Sequence, residues 1–465
     1  MIFDRFLASA EVMAVLDERA CVQAMLDFEA ALAQACAEAG AIPRASAEAI
    51  AAACRAERID LARLVADGAR AGSLAIPLVG RLTEEVARDA PAAALHVHWG
   101  ATSQDVLDTA QVLVARRALA LVDRDLGALV AALQALADAH GDAPVLGRTL
   151  LQPAQVVSFG FKLAGWIAPL VRAQARLHER GAAALQLQLG GAVGTRAAMG
   201  EHGDAIAAHL AARLGLRAPL AAWHTQRDEW LGLACELGLL AGSLGKFAKD
   251  VSLMAQAEVG ELAERSGPGR GGSSTMPHKR NPVAAMVGLA AAVRAPQHVA
   301  ALLAAMPQEH ERGLGNWQAE LAESAALLAC VHGAVAALRA AAEGLQVDAA
   351  RMARNIDALR GLVFAEALAM RAARVVGKAA AHEWVEALSR QAAAEGAHLR
   401  DVALAALPRH AALQAALPAA ELAALFDPAA PAAHASALAR ARLAALAPQA
   451  AALRRAAPWK ERDGS

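Results

Sequence analysis

The sequence predicts an all-α protein with a central bundle of about five long helices. Alternation of β-branched and polar residues, the usual sign of strands, is almost missing. Apolar residues instead recur in steps of four and three, as on one face of a packed helix, most clearly at Leu233, Leu237, Leu240, Leu244, Phe247, Val251 and Met254. Comparable patterns, each longer than the usual ~11–12 residues of a globular helix, cover residues 103–140, 155–189, 282–306 and 317–345.

The sequence on either side of these helices predicts flanking domains. Short helical patterns precede residue 103, and an Ala-rich stretch, also predicted to be helical, follows residue 345. A chain of 465 residues exceeds what one compact core usually holds. We therefore expect an N-terminal helical domain at residues 1–102, the central bundle at 103–345 and a C-terminal helical domain at 346–465.

Composition argues against several classes of function. Apolar residues make up 57% of the chain and its net charge is −1, which does not favour nucleic acid or an anionic membrane as a partner. Mean hydropathy is +0.31, but charged residues interrupt the apolar stretches, so we expect buried helices and no membrane span. Five scattered cysteines without a CxxC pair predict neither disulfides nor a zinc site and favour the cytoplasm. With charged residues near the start of the chain, we expect no signal peptide.

The segment at residues 266–282 is the most informative one, with the sequence Ser-Gly-Pro-Gly-Arg-Gly-Gly-Ser-Ser-Thr-Met-Pro-His-Lys-Arg-Asn-Pro. Its glycines allow backbone N–H groups to converge on an anion. Asn281 and Pro282 are a favourable N-cap and first helical residue, so the positive end of the following helix should face this loop. Lys279 and His278 add positive charge. A flexible connector is the alternative, but the Lys-x-Asn-Pro ending is too specific for that reading.

Three segments resemble the conserved regions of the fumarase/aspartase superfamily, which includes adenylosuccinate and argininosuccinate lyases. They are residues 272–282 of the loop, residues 98–105 (His-Trp-Gly-Ala-Thr-Ser-Gln-Asp) and residues 147–154 (Gly-Arg-Thr-Leu-Leu-Gln-Pro-Ala). The resemblance implies a three-domain helical subunit, a homotetramer, and active sites that each collect residues from three subunits. It also implies that the first serine of the loop, Ser273, handles the carbon-bound proton.

A serine hydroxyl is a poor base, so this role for Ser273 needs support from its surroundings. Backbone N–H donors, a helix N-terminus and Lys279 would all favour its alkoxide. The proton lies next to a carboxylate, and its removal gives a dianionic aci-carboxylate that Lys279 and Asn281 would stabilise. Ser274 is the competing base, and Ser274 and Met276 otherwise count as substrate-binding residues.

Leu150 departs from the pattern of the superfamily. Lyases that expel water or an amine carry histidine at this position, where it is assigned to protonating the leaving group. Leucine predicts either an inactive relative or a leaving group that needs no proton. A carboxylate leaves readily as an anion at neutral pH. The sequence therefore predicts lactone chemistry, in which a carboxylate of a tricarboxylate substrate adds to a conjugated double bond while Ser273 delivers a proton to the adjacent carbon.

Three negative charges on a substrate call for several fixed donors and cations. The resemblance assigns Thr102 and Ser103 to one carboxylate, and His98 matches an active-site histidine. The remaining candidates are Gln226, Arg227 and Arg312. Each has a structural alternative: His98 could only orient Thr102, Arg227 could pair with Asp228, and Arg312 could brace Glu309 or Glu311.

Two other functions stay open. An adenylosuccinate lyase would share the loop and the Thr-Ser segment, but Leu150 removes its usual proton donor. A non-catalytic helical scaffold predicts damage to the loop, which is intact. We expect no metal and no cofactor, because the sequence has no His-x-x-x-His or clustered acidic set and no Gly-rich nucleotide motif after a strand.

Overall fold

The structure, a computed structural model, describes residues 2–265, 267, 271, 272, 276 and 279–459. Helices dominate this part of the chain, which confirms the predicted all-α class. The N-terminal region consists of one long helix surrounded by short ones: α1 (Ile2–Leu7), α2 (Ala10–Val15), α3 (Glu18–Glu38), α4 (Arg44–Ala53), α5 (Leu61–Ala71), α6 (Ala75–Asp89) and α7 (Pro91–Ala94).

Five long helices form the central bundle, close to the predicted positions. Together with one short helix they are α8 (Ser103–His140), α9 (Phe159–Ala184), the short α10 (Gly203–Leu214), α11 (Asp228–Met254), α12 (Val283–Ala305) and α13 (Asn316–Ala342). The seam predicted along α11 is buried throughout, which is why this helix lies at the centre of the bundle.

The direction of these helices defines two ends of the bundle. Contacts of Gly238 with Val299 and of Gly288 with Leu338 show that α12 runs antiparallel to α11 and α13. The helices α8, α11 and α13 therefore begin where α12 ends, and we call this the α8 end. At the opposite end, which we call the loop end, α11 finishes and α12 begins.

In the described residues, two small antiparallel strand pairs interrupt the helices, the first of them a hairpin, and the sequence did not predict them. One pairs β1 (Pro144–Thr149) with β2 (Gln152–Ser158), and the other pairs β3 (Leu262–Ala263) with β4 (Gln346–Val347). The turn of the first hairpin places Leu150 and Leu151 in the left-handed region, with φ of 51° and 66°. Their side chains are 97% and 75% exposed. Both strand pairs lie at the loop end.

The C-terminal region has an apolar core of its own, which also takes in Leu146 and Val156 of the first hairpin. Its helices are α14 (Ala349–Asp357), α15 (Ala365–Val376), α16 (Lys378–Glu395), α17 (Leu399–Ala406), α18 (Ala411–Ala416), α19 (Ala419–Ala424) and α20 (Ala429–Ala456). The last helix, α20, leaves this core and packs along α9, where Trp459 covers Gly181. The domain boundaries at residues 102 and 345 stay predictions.

Within the described residues, three helices are long and apolar enough to cross a membrane: α11, α12 and α13. In α11 and α13, 61% and 56% of the most apolar stretch is buried inside the subunit. In α12 the share is only 22%, so one apolar face of this helix lies on the subunit surface. We expected the apolar helices to be buried, and this holds better for α11 and α13 than for α12.

Candidate active site

At the α8 end, two hydroxyl groups and a guanidinium meet at the first turn of α8. The Nη1 of Arg312 donates to Thr102 Oγ1 at 2.7 Å, and its Nη2 donates to Ser103 Oγ at 3.0 Å. Arg312 is therefore directed to the Thr-Ser pair and does not brace Glu309, whose carboxylate accepts from the backbone N–H of Leu314. We call Thr102, Ser103, Arg312 and the nearby His98 the carboxylate-binding cluster, because a helix N-terminus with these donors suits an anion.

Asp105 organises the backbone around this cluster, a role that sequence reasoning missed. Its carboxylate accepts from the N–H of Thr102 at 3.0 Å and from the N–H groups of Gly190 and Gly191, both at 2.9 Å. His224 Nε2 completes the set, 2.8 Å from Asp105 Oδ1. Asp105 stands three residues after the N-cap Thr102, a spacing typical of a capping box that could have revealed it.

Arg227 is not part of the carboxylate-binding cluster, which corrects the sequence prediction. Its guanidinium is fully buried and donates two hydrogen bonds to Asp108, at 2.9 and 3.1 Å, while its Nε donates to Glu320 at 3.1 Å. It also stacks over Trp223, 4.3 Å from the ring centre. Because two buried carboxylates take up its donors, Arg227 holds the starts of α8, α11 and α13 together. Arg227 thus pairs with Asp108 and Glu320, and not with Asp228, the partner considered from the sequence.

Gln226, the neighbouring candidate, is exposed and lies beside the segment that carries Arg312. The hydroxyl of Thr225 donates to the carbonyl oxygen of His310 at 3.0 Å, which ties the two segments together. Because the side chain of Gln226 is exposed, it can reach a ligand at the α8 end.

At the loop end lie Lys279 and Asn281. The backbone N–H of Asn281 donates to the carbonyl of Gly271 at 2.8 Å, and that of Lys279 donates to Met276 at 3.0 Å. The side chain of Lys279 is exposed, and Met276 is 41% exposed. Ser273 and Ser274 lie outside the described residues.

The loop end also corrects the predicted helix cap. Helix α12 begins at Val283, and the carboxylate of Glu264 accepts from the N–H groups of Ala284 and Ala285, at 3.0 and 2.9 Å. A carboxylate from the other side of the loop thus caps the helix in place of Asn281, since an anion complements the positive helix end more strongly than an amide does.

A second carboxylate ties the first hairpin to the base of the loop. Glu261 accepts two hydrogen bonds from Arg148 of β1, at 2.7 and 3.0 Å, and a third from Asn355 Nδ2 at 2.8 Å. This contact brings the segment with Leu150 to the same end of the bundle as Lys279.

The two groups of candidate residues are far apart within one subunit. Arg312 follows the end of α12, whereas Lys279 precedes its start, and 23 helical residues at 1.5 Å each span about 34 Å. The structure therefore brings together His98, Thr102, Ser103 and Arg312 at one end, and Met276, Lys279 and Asn281 at the other. One substrate of a few ångströms cannot contact both groups of a single subunit.

The helical bundle, the Thr-Ser pair at the start of α8 and the Gly/Ser sequence of the loop are the features expected of a lyase of the fumarase/aspartase superfamily. The chain belongs to this family: the family model described as lyase matches residues 5–296, and the one described as adenylosuccinate lyase C-terminus matches residues 361–441. The 3-carboxy-cis,cis-muconate cycloisomerase of Pseudomonas aeruginosa is 49% identical over 92% of each chain. Nitrosuccinate lyase of Streptomyces davaonensis is 41% identical over 90% of each. The solved 3-carboxy-cis,cis-muconate lactonizing enzyme of Pseudomonas putida matches with a TM-score of 0.89 at 44% identity, over 97% of this chain and 99% of that chain.

Proposed function

We propose that the protein is an isomerase that converts 3-carboxy-cis,cis-muconate to γ-carboxymuconolactone (2-carboxy-2,5-dihydro-5-oxofuran-2-acetate), a step of protocatechuate breakdown in the β-ketoadipate pathway. The observation that carries the proposal is Leu150, which stands where related lyases keep a proton donor, in a chain whose carboxylate-binding cluster is intact. Lactonisation needs no such donor, because its reverse expels a carboxylate. Identity to cycloisomerases over most of the chain supports the same reaction.

The reaction moves one proton and one electron pair without a cofactor. A substrate carboxylate oxygen bonds to a carbon of the conjugated diene, and the displaced π electrons give an aci-carboxylate dianion. Ser273 then delivers its proton to the adjacent carbon and restores the neighbouring carboxylate. The Ser273 alkoxide regains a proton from water before the next turnover, so lactonisation takes up one proton overall. Lys279 and Asn281 stabilise the dianion where its charge develops. Thr102, Ser103, Arg312 and His98 hold a different carboxylate and fix the substrate's orientation.

An ultraviolet assay of the purified protein tests this function. We expect loss of the conjugated-diene absorbance of 3-carboxy-cis,cis-muconate without added metal or nucleotide. Adenylosuccinate, argininosuccinate, fumarate and nitrosuccinate serve as parallel substrates. Nitrosuccinate belongs in the set because nitrite also leaves as an anion, so Leu150 is compatible with its elimination. Turnover of any of these four in place of the muconate would overturn the proposal while keeping the chemistry of the loop.

The leaving-group argument makes a prediction about Leu150. We expect Leu150→His to leave lactonisation unchanged or slower, because no proton is wanted at this position. The side chain is almost fully exposed at the hairpin turn, so the change should not destabilise the subunit. Leu151→His, at the next exposed position, is the matched control. A rate increase of tenfold or more specific to Leu150→His would contradict the argument.

We further propose that the active enzyme is a homotetramer with active sites shared between subunits. Its basis is the position of Arg312 and Lys279 beyond opposite ends of α12, a helix about 34 Å long. Another copy of the chain would bring the two ends of neighbouring bundles together. The exposed apolar side chains of Met286 and Val293, seven residues apart on one face of α12, provide a surface for that contact.

Mixed oligomers provide a direct test of shared sites. Ser273→Ala and Arg312→Met should each inactivate the enzyme as pure oligomers. When the two variants are co-expressed with different tags and the hybrids are purified, we expect activity to return at about a quarter of the sites, since random mixing pairs an intact Ser273 with an intact Arg312 at that frequency. Hybrids of Ser273→Ala with Lys279→Ala, which alter the same loop, are the control and should stay inactive. No recovery in the first pair would contradict sharing.

We also propose that the protein works in the cytoplasm, where the substrate would be produced by other enzymes of the same breakdown pathway. All five of its cysteines are free thiols. Cys36, Cys54 and Cys330 are buried, where unpaired thiols are stable in a reducing compartment.

A further inference from the structure

Glu29 is a buried acid in the middle of α3 that the sequence does not assign to any role. Its carboxylate is 1% exposed, and Oε1 lies 2.7 Å from Nδ1 of His98. Within the part of the chain that the structure describes, its Oε2 has no hydrogen-bond partner. A buried carboxylate with so few donors is costly to ionise unless a cation lies beside it. The imidazole of His98 is the group placed to provide that charge.

His98 is held in an unusual conformation toward this carboxylate. Its φ is 58°, in the left-handed region, which residues with a side chain seldom adopt and which is over-represented at functional sites. The hydrogen bond to Glu29 uses Nδ1, so Nε2 on the far side of the ring points away from α3. The side chain is 18% exposed, and the residue lies four positions before Thr102 of the carboxylate-binding cluster.

The charges around His98 favour its protonated form. Burial opposes the charge, but Glu29 and then Asp105 outweigh it and raise the pKa of His98. Asp105 already has His224 and backbone N–H groups as partners, so Glu29 is the carboxylate in direct contact with His98. The nearby thiols of Cys36 and Cys54 stay neutral, because burial raises the pKa of each. The protonated form of His98 has a second N–H, at Nε2, which the contact with Glu29 leaves available.

We propose that Glu29 is a positioning residue that holds His98 as an imidazolium, with its Nε2–H directed at a substrate carboxylate in the carboxylate-binding cluster. The inference rests on the proposed function, because a tricarboxylate provides the anion that this N–H would meet. It adds a second cation to Arg312 at the α8 end, and it gives the N-terminal region a part in substrate binding. In a purely structural role, Glu29 would only fasten α3 to the turn between α7 and α8, and the experiment must distinguish that role from the proposed one.

Glu29→Gln keeps the size of the side chain and an oxygen that can accept from Nδ1, but removes the charge. We expect kcat/KM for the muconate to fall roughly tenfold to a hundredfold, mainly through KM. Because binding needs protonated His98, activity is present below its pKa and is lost as pH rises through it. Removing Glu29 lowers that pKa, so the alkaline limb of the kcat/KM profile should move to lower pH.

Two matched variants complete the design. Glu29→Asp retains the charge and should restore the alkaline limb toward the wild-type pH. Glu38→Gln removes a carboxylate from the exposed end of the same helix, where it pairs with Arg213, and should change neither parameter. A Glu29→Gln enzyme with lower stability but an unmoved alkaline limb would overturn the proposal in favour of a structural role.

A titration that does not depend on activity separates this inference from the proposed function. The protein is labelled with ¹³C-histidine, and the resonance of His98 is identified by its loss in His98→Gln. We expect its pKa to be lower in Glu29→Gln than in the wild type, and an equal pKa would overturn the inference. Wild-type protein that shows this titration but no turnover of the muconate would overturn the proposed function alone.

Discussion

Replacing Ser273 with alanine is expected to lower kcat for lactonisation by at least about a thousandfold. Alanine has no O–H to give to the carbon next to the carboxylate, so the proposed proton transfer loses its donor. Binding of the carboxylates by Thr102, Ser103 and Arg312 is unaffected, so KM should change little. The measurement is the steady-state rate of diene loss, with the oligomer checked by light scattering.

Ser274→Ala is the control for this prediction. It removes the adjacent hydroxyl from the same loop and should lower kcat by no more than about tenfold, through a lost substrate contact. If Ser274→Ala is the more damaging change, the proton transfer moves to Ser274. If both variants turn over normally, the superfamily resemblance does not carry over to the chemistry of this loop.

Local patterns in the sequence were sufficient for the helical framework. The apolar seam from Leu233 to Met254 specifies which face of α11 is buried, and a helix of that length needs no information from elsewhere to be recognised. The start of α8 at Ser103 was also predictable, because a threonine N-cap and an aspartate three residues later mark it.

The hairpin before α9 was not predictable in the same way. Its strands contain Pro144, Gly147 and Pro153, and most of the side chains on one face remain partly exposed, so neither propensity nor alternation marks them. Pairing between the strands, with an irregular register after Gly147, defines them instead. Leu150 was identified from the resemblance alone, and its place at the exposed turn came from the structure.

Charged residues were the main source of error, because their partners are distant in sequence. Arg227 looked like a substrate ligand in its polar segment, but Asp108 and Glu320, which bind it, are 119 and 93 positions away. Glu29 was overlooked for the opposite reason. It lies within the apolar pattern of α3, and only the fold shows that His98 meets it 69 positions later. A single carboxylate on the apolar face of a predicted helix is rarely buried without a partner, so Glu29 could have been recognised from the sequence as a residue with a buried partner.

Replacing Arg227 with methionine is expected to lower the free energy of unfolding by about 3–5 kcal/mol, the cost of leaving buried charges without a partner. Asp108 and Glu320 would both lose their counter-charge. Asp108 would keep its hydrogen bonds from Trp317 Nε1 at 2.9 Å and from the side-chain amides of Gln104 and Gln188 at 3.2 and 3.1 Å, but these neutral donors do not replace the positive charge. Urea unfolding at a fixed protein concentration measures the change, because assembly also contributes to stability.

Two further variants separate this structural role from substrate binding. Arg213→Met removes an arginine that pairs with Glu38 at the surface, and should cost at most about 1 kcal/mol. Adding Glu320→Gln to Arg227→Met removes one of the two stranded charges and should recover part of the lost stability. A structural role for Arg227 predicts that Arg227→Met lowers the stability of the protein, while the folded fraction of the variant keeps a near-normal KM. A stable Arg227→Met enzyme with a greatly raised KM would instead return Arg227 to the substrate site, and would require this end of the bundle to open when the substrate binds.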